Sequence, residues 1–344
     1  MDQPPVDNPT DFVAHPQLFV DKDGEKLLAI VKATFLRAPD GTLEVAPKRW
    51  RRKIRFADVP WGDPEKSSIL YPADICLRKP GTDVVVVARA HAPGGKPVPT
   101  FDAAVRVGPL QKIVRVFGLR VWQAGGSGLS PPRPISEIEM RYDHAWGGCD
   151  ASDPAHIEEE PRNPVGMGVT RDLDSLTHQP APSIEDPAQP ILTARTRPPP
   201  AGLGAIGRHW EPRRRHLGTY DARWLEERAP LPPLDQDDRM NLCATPDLVA
   251  VPPLRGGEEA ALLNLQPGGG PTTFLLPKIG VKIEFRVKDR APEIVRPYLD
   301  TVIIDTLANP RREDRPLTLE YVWRASVPAP LRLSDARVIV REVS

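Results

Sequence analysis

Apolar and polar residues alternate with a period of two along much of this chain. The clearest case is Val281-Lys-Ile-Glu-Phe-Arg-Val-Lys288, in which every second residue is apolar and the rest are charged. That is the pattern of a strand with one face on a core and the other in water. Residues 317–323 (Leu-Thr-Leu-Glu-Tyr-Val-Trp) follow it, as do residues 101–107 through Phe101, Ala103, Val105 and Val107. Residues 83–91 begin as a continuous valine run and then alternate. Further strands are predicted over 27–36, 112–122, 261–265, 273–276, 279–288, 301–305 and 337–343. Asp23-Gly24 and Asp40-Gly41 bracket the 27–36 run, and Leu43 and Val45 continue it. Asp-Gly between apolar runs marks a hairpin. Many short strands separated by turns predict a mainly β fold of antiparallel, sandwich-like sheets, with long Pro/Gly-rich loops and very few short helices.

The middle of the chain breaks this pattern. Between residues 125 and 255 lie Pro131-Pro132, Pro198-Pro199-Pro200, Pro232-Pro233 and Pro252-Pro253. One short helix is predicted here, over Asp221 to Arg228, with Thr219 or Asp221 as N-cap and Pro230 as its stop. Residues 180–200 read as extended loop. The organisation expected is an N-terminal β-rich part (1–125), a motif-bearing middle (126–255) and a C-terminal β-rich part (256–344), forming one compact unit or two closely packed β halves. Proline accounts for 43 of 344 residues, about 12% against a usual ~5%. Proline is excluded from helix interiors and central strands, which reinforces the picture of short elements and many turns.

Charge removes one function class. Forty-six basic and 46 acidic residues balance, so the chain lacks the excess positive charge of a dedicated nucleic-acid binder. Two local basic runs, Lys48 to Lys53 and Arg208 to Arg215, are expected to be solvated faces or contacts to acidic loops such as Glu158-Glu159-Glu160. The three cysteines, Cys76, Cys149 and Cys243, form no close pair, which fits a reducing compartment better than a disulfide framework. No signal peptide and no apolar run long enough for a membrane span is visible. A cytoplasmic protein is expected.

Candidate chemistry is thin. Gly202-Leu-Gly-Ala-Ile-Gly207 has the letters of a dinucleotide loop, but that loop must follow a strand and open a helix. Pro200 before it and Pro212 after it spoil this context, so a structural glycine turn is expected. Cys149, Asp150, Asp153 and His156 mix soft and hard ligands without zinc or calcium spacing. His209 and His216 lack a suitably placed carboxylate, and Gly125-Gly126-Ser127-Gly128 is not a nucleophile elbow. No catalytic, cofactor or metal residues are assigned. Trp146, Trp210, Trp224 and Trp323 are expected to anchor a core or an interface.

An ordered set of motifs runs through most of the chain. It comprises Val31–Phe35, Trp61-Gly-Asp63 with Ser67-Ser68, Lys79-Pro-Gly-Thr-Asp83, Ala90-His-Ala-Pro93 and Tyr142–Gly148. It continues with Arg162–Gly168, Pro200–Gly204, Trp210-Glu-Pro-Arg213, Gly218–Asp221 with Trp224, and Leu254–Glu258. In this order they resemble a family first labelled only as a domain of unknown function and found in type VI secretion gene clusters. His144 stands where that pattern has Arg, and Leu203 where it has Phe. The resemblance implies a non-enzymatic adaptor or chaperone that binds an effector toxin or PAAR spike-tip protein and helps it mount on the VgrG spike. It implies no cofactor, nucleic acid or membrane. Partner-binding or structural candidates within the motifs are Arg162, Asn163, Trp210, Arg213, Tyr220, Asp221 and Trp224. The alternatives are an enzyme of toxin-like hydrolase type and a structural part of the secretion apparatus. Two binding devices are expected: the proline-rich loop over 180–200, docking with little loss of entropy, and an exposed strand edge that adds a partner strand.

Overall fold

The computed structural model describes residues 3–38, 40–307 and 317–343. The fold is mainly β, and the described residues contain one α-helix, Ala222–Glu227. Its centre is a seven-stranded sheet with strands from both ends of the chain. The order across it is Val249–Ala250, Thr82–Val87, Leu299–Asp305, Thr318–Pro328, Gly24–Arg37 and Val13–Asp21, with Leu43–Val45 paired to the end of Gly24–Arg37. A five-stranded antiparallel sheet runs Ile184–Glu185, Leu110–Phe117, Thr100–Val107, Glu259–Leu263, Pro271–Leu275. A four-stranded sheet joins Val6–Asp7, Ala336–Val343, Gly280–Val287 and Glu293–Val295.

The sheets are mixed as well as antiparallel. Thr82–Val87 lies parallel to Leu299–Asp305, and Val6–Asp7 lies parallel to Ala336–Val343. Parallel partners are distant in sequence, so no hairpin signal announces them. The Val13–Asp21 strand was not among the predicted elements because Pro16 interrupts it. It occupies a sheet edge, where a missing N–H is tolerated.

One contiguous apolar core joins the three sheets. Leu27, Ala29, Val31, Ala33 and Phe35 enter it from one strand, and Leu319, Tyr321, Trp323, Ala325 and Val327 from its neighbour. Trp323 lies edge-on to Tyr321, with ring centroids 5.5 Å apart.

The opposite face of these two strands departs from expectation. The alternation in 317–323 predicts a solvated polar face, yet Thr318 and Glu320 are buried. Irregular chain around residues 51–79 covers that face and carries the countercharges. Lys32 Nζ sits 2.7 Å from both Asp74 Oδ2 and Glu320 Oε2. Arg55 grips Glu320 with two bonds of 2.6 Å, and its backbone N–H donates to Asp74 Oδ2 at 2.8 Å. Arg324 donates to the Asp74 carbonyl at 2.9 and 2.8 Å and pairs with Asp300. At the sheet's far side, Lys79 Nζ meets Asp83 at 2.6 Å and Thr301 Oγ1 at 2.8 Å. Asp83 also accepts the backbone N–H groups of Cys243 (2.9 Å) and Ala244 (3.1 Å). Burial alone would raise the Glu320 carboxyl, but Lys32 and Arg55 bring it down to about 2. Asp305 is raised, because burial outweighs its bonds to Tyr71 and Arg52.

Removing one member of such a group leaves a buried charge without its partner. Lys32→Met and Glu320→Leu are each expected to cost roughly 3–5 kcal/mol in urea unfolding. The joint variant should cost clearly less than the sum; strictly additive losses would contradict the coupling.

The pH dependence has a definite sign. The folded Glu320 pKa lies below the ordinary value of about 4.3, so its stabilisation is present above that value and is lost as pH falls toward 2. Asp305, raised in the fold, acts oppositely: its ionisation costs stability, and that cost disappears on acidification. Glu320→Gln should therefore flatten the fall in stability below about pH 4, as read by urea midpoints across pH.

Candidate functional site

The motif residues of the middle segment gather around Tyr142. Asn163 is fully buried and clamps this region: its Nδ2 donates to the carbonyls of Tyr142 and Trp146, both at 2.9 Å. Its own carbonyl accepts the N–H of Gly148 at 2.8 Å. Gly147, at φ +147°, lies so close that a Cβ there would stand 2.2 Å from the Asn163 carbonyl oxygen. Trp210 is buried edge-on to Tyr142, with centroids 5.7 Å apart and planes at 90°. The Arg213 guanidinium is buried too, donating to the carbonyls of Ile206 (2.7 Å) and Met240 (3.0 Å). Asn163, Trp210 and Arg213 thus build the site, and Trp210 and Arg213 also line a second groove of about 810 Å³ on which His209 and Cys149 open.

The glycine run 202–207 belongs to the same cluster. It opens no helix directly, residues 208–213 being turn and bend, and a Cβ on Gly202 would come 2.5 Å from the Tyr142 ring. Gly202 and Gly207 let the Tyr142 and Trp210 rings pack directly on backbone.

A groove of about 760 Å³ opens beside Tyr142. Its walls come from the Leu110–Phe117 strand, the turn at Asp186-Pro187-Ala188, Pro199–Ala201, Ile206, Glu211-Pro212 and Thr245–Asp247. Arg162 stands on its rim, held by Glu160 through bonds of 2.6 and 2.7 Å. Lys112 is held by Asp247 at 3.0 Å, and burial lowers its pKa against that carboxylate. Arg215 pairs with Glu211 at 2.7 Å. Each cationic side chain lining the groove therefore has a carboxylate of its own, and the free surface is largely proline and aliphatic. The Tyr142 hydroxyl is buried beside Thr245 without a well-aligned hydrogen bond, and burial pushes its pKa up.

Tyr220, Asp221 and Trp224 lie apart from this cluster. Asp221 caps the helix by accepting the Trp224 N–H at 2.8 Å, which settles the N-cap between the two residues considered. Tyr220 packs on Trp224 with centroids 4.7 Å apart, while Trp224 Nε1 donates to the Leu231 carbonyl. Tyr220 and Leu225 are 55% and 65% exposed. Arg228 ties this module to the hairpin turn through the Lys22 carbonyl.

Several expectations change here. The 180–200 stretch is irregular but not free: Ala181, Ile184, Glu185, Ile191 and Ala194 are buried, and Glu185 pairs with buried Arg120. It is a structural wall rather than a loose docking arm. The basic runs are not uniform solvated faces either, because Arg52 reaches Asp305 and Arg213 is buried. The acidic loop at 150–156 is internally bonded, with Asp153 accepting from His156 (2.8 Å) and Arg171 (3.0 Å). Among the described residues, no group of three or more His, Cys, Asp or Glu side chains is placed to hold a metal ion. Tyr142, Lys112 and Ile113 line the groove without having been singled out. Tyr142 stood in a quoted motif, but nothing local distinguished its role from that of its neighbours.

If these glycines serve packing, their tolerance should differ by position. Gly202→Ala drives a methyl into Tyr142 and is expected to cost about 1–3 kcal/mol. Gly204→Ala meets nothing nearer than 3.9 Å and should stay within about 1 kcal/mol of the parent. Thermal melts of the two variants check this; equal losses would contradict it.

The family described as "Uncharacterized protein conserved in bacteria (DUF2169)" matches residues 22–313. No curated protein and no solved structure matches the chain. The match spans most of the sequence, from the first hairpin turn through the motif-bearing middle to the last third, and the chain belongs to this bacterial family.

Proposed function

We propose that this protein is a non-enzymatic adaptor, or chaperone, that acts in the cytoplasm. It binds an effector toxin or a PAAR spike-tip protein and helps load it onto the VgrG spike of a type VI secretion apparatus. The ordered motifs that carry the resemblance support this reading. The observation that carries it furthest is convergence on one groove. Tyr142, Arg162, Pro200, Ala201 and Pro212 come from four separate motif stretches and line the same cleft of about 760 Å³. Largely apolar walls whose cations are already paired suit a protein segment better than an anionic small molecule.

Co-expression of the tagged chain with the products of neighbouring PAAR and toxin genes tests the proposal. The expected result is a stoichiometric complex that raises the soluble yield of the cargo. Ala188→Trp, which fills the groove from its exposed rim, should abolish that complex while leaving the melting temperature unchanged. No complex with any neighbour across salt and pH would overturn the adaptor reading.

A further inference from the structure

The groove runs along an unfinished sheet edge. Leu110–Phe117 pairs along its whole length with Thr100–Val107 on one side. On the other side only Arg115 and Val116 have strand partners, Glu185 and Ile184. Phe117 N–H donates to the Ser183 carbonyl at 2.8 Å, so the odd-numbered residues of this strand direct their main-chain groups to that side. By the same alternation, the N–H and C=O groups of Gln111 and Ile113 face the groove, and among the described residues no backbone or side-chain partner meets them there.

The sequence explains why the edge stays open. Continued by two residues, the register Arg115↔Glu185 would set residue 187 opposite Ile113. Residue 187 is proline, which has no N–H to give to the ladder. Asp186 completes the exit: its side chain accepts the Ala188 N–H at 2.8 Å and its carbonyl accepts the Gln189 N–H at 3.0 Å, which turns the chain away. The vacated space is the groove, and Ile113, 41% exposed, lies on its wall. An open edge is normally blunted by an unpaired lysine or by covering chain. Here Lys112 is neutralised by Asp247 and bonded to Thr245 at 2.8 Å.

We propose that this edge is a strand-addition site: an extended, apolar segment of a protein partner, free of acidic residues, pairs with Gln111 and Ile113 and fills the groove. It continues, antiparallel to Leu110–Phe117, the short strand that ends at Glu185. The open stretch from Leu110 to Val114 accommodates about five residues at ~3.3 Å per residue. Main-chain bonds supply affinity whatever the sequence, and the apolar walls select alternate side chains. Acidic residues are disfavoured because each lining cation already has a carboxylate, whereas Asp186 lines the groove with no ion pair among the described residues. This inference rests on the adaptor reading only for the identity of the partner.

The probe is a displayed library of random heptapeptides, with the best binders resynthesised and titrated by fluorescence anisotropy against the full chain. Enriched peptides should be apolar and should lack Asp and Glu at their central positions. Gln111→Pro removes a groove-facing N–H that makes no bond in the fold, and Ile113→Glu places a charge on the wall. Each should weaken peptide binding at least tenfold with the melting temperature retained. If Gln111→Pro impairs folding, Ile113→Glu and Ile113→Lys carry the test, and both should lose binding. Absence of enrichment, or binders indifferent to these variants, would overturn the proposal. So would a dimer in light scattering that Ile113→Glu dissolves, since the edge would then belong to a second copy. Peptide binding at the edge without any cargo complex would retain this site and reject the adaptor reading; a cargo complex indifferent to the variants would do the reverse.

Discussion

The structure depends on charge neutralised inside the protein. The central sheet is buried on both faces, one against the main apolar core and the other against a small apolar cluster (Leu28, Ile30, Ile54, Leu77, Val322) and a set of buried carboxylates and cations. Glu320 in the middle of its strand has no access to water, so it must be met by Lys32 from the adjacent strand and by Arg55 from the irregular chain above. That requirement pins the segment around residues 51–79, which has almost no regular structure of its own to hold it. Asp74 does the same work from the other direction, joining Lys32, the Arg55 backbone and, through its carbonyl, Arg324. Each carboxylate thereby converts a loop into part of the fold. Direct polar satisfaction, rather than secondary structure, fixes these connections.

The same device recurs where the motif-rich middle meets the sheet. Lys79 and Asp83, from one motif, hold the backbone at Cys243 and Ala244. Asn163 and Arg213 then bond almost entirely to main-chain carbonyls, which is how chain with so many prolines is kept in one shape. Burial pushes the Cys243 thiol up to about 12, with Asp83 adding to the effect, which disfavours its thiolate. The rigid middle in turn walls the groove beside the Leu110–Phe117 strand. A cleft so supported would present its main-chain groups to the proposed partner strand without ordering a loop, which lowers the entropy cost of binding.

Much of the β architecture was legible in the alternation of apolar residues. The strands Thr100–Val107, Gly280–Val287 and Ala336–Val343 fall close to their predicted places, and Asp221 and Pro230 bound the helix correctly. Alternation could not show what lies over a polar face. Lys282 and Glu284 remain partly exposed, as the pattern suggests, whereas the equally polar Glu320 is buried because distant chain brings arginine and lysine to it. The candidate site was legible in part for the same reason. Asn163, Trp210 and Arg213 sat in recognisable motifs, but Asn163 and Arg213 bond to backbone carbonyls, which leave no sequence signature, and Trp210 packs on the Tyr142 ring. Ile113 and Gln111 enter the proposal through main-chain groups that their neighbours leave unpaired, and Asp186 and Pro187, far along the chain, account for that.

The most direct test of the binding platform is amide hydrogen exchange of the free protein, resolved at single residues along the Leu110–Phe117 strand. Gln111 and Ile113 should exchange fast, while Lys112 and Val114, bonded toward Thr100–Val107, should be protected as strongly as the sheet interior. Equal protection of all four amides would mean that the edge is already covered, and would contradict the account.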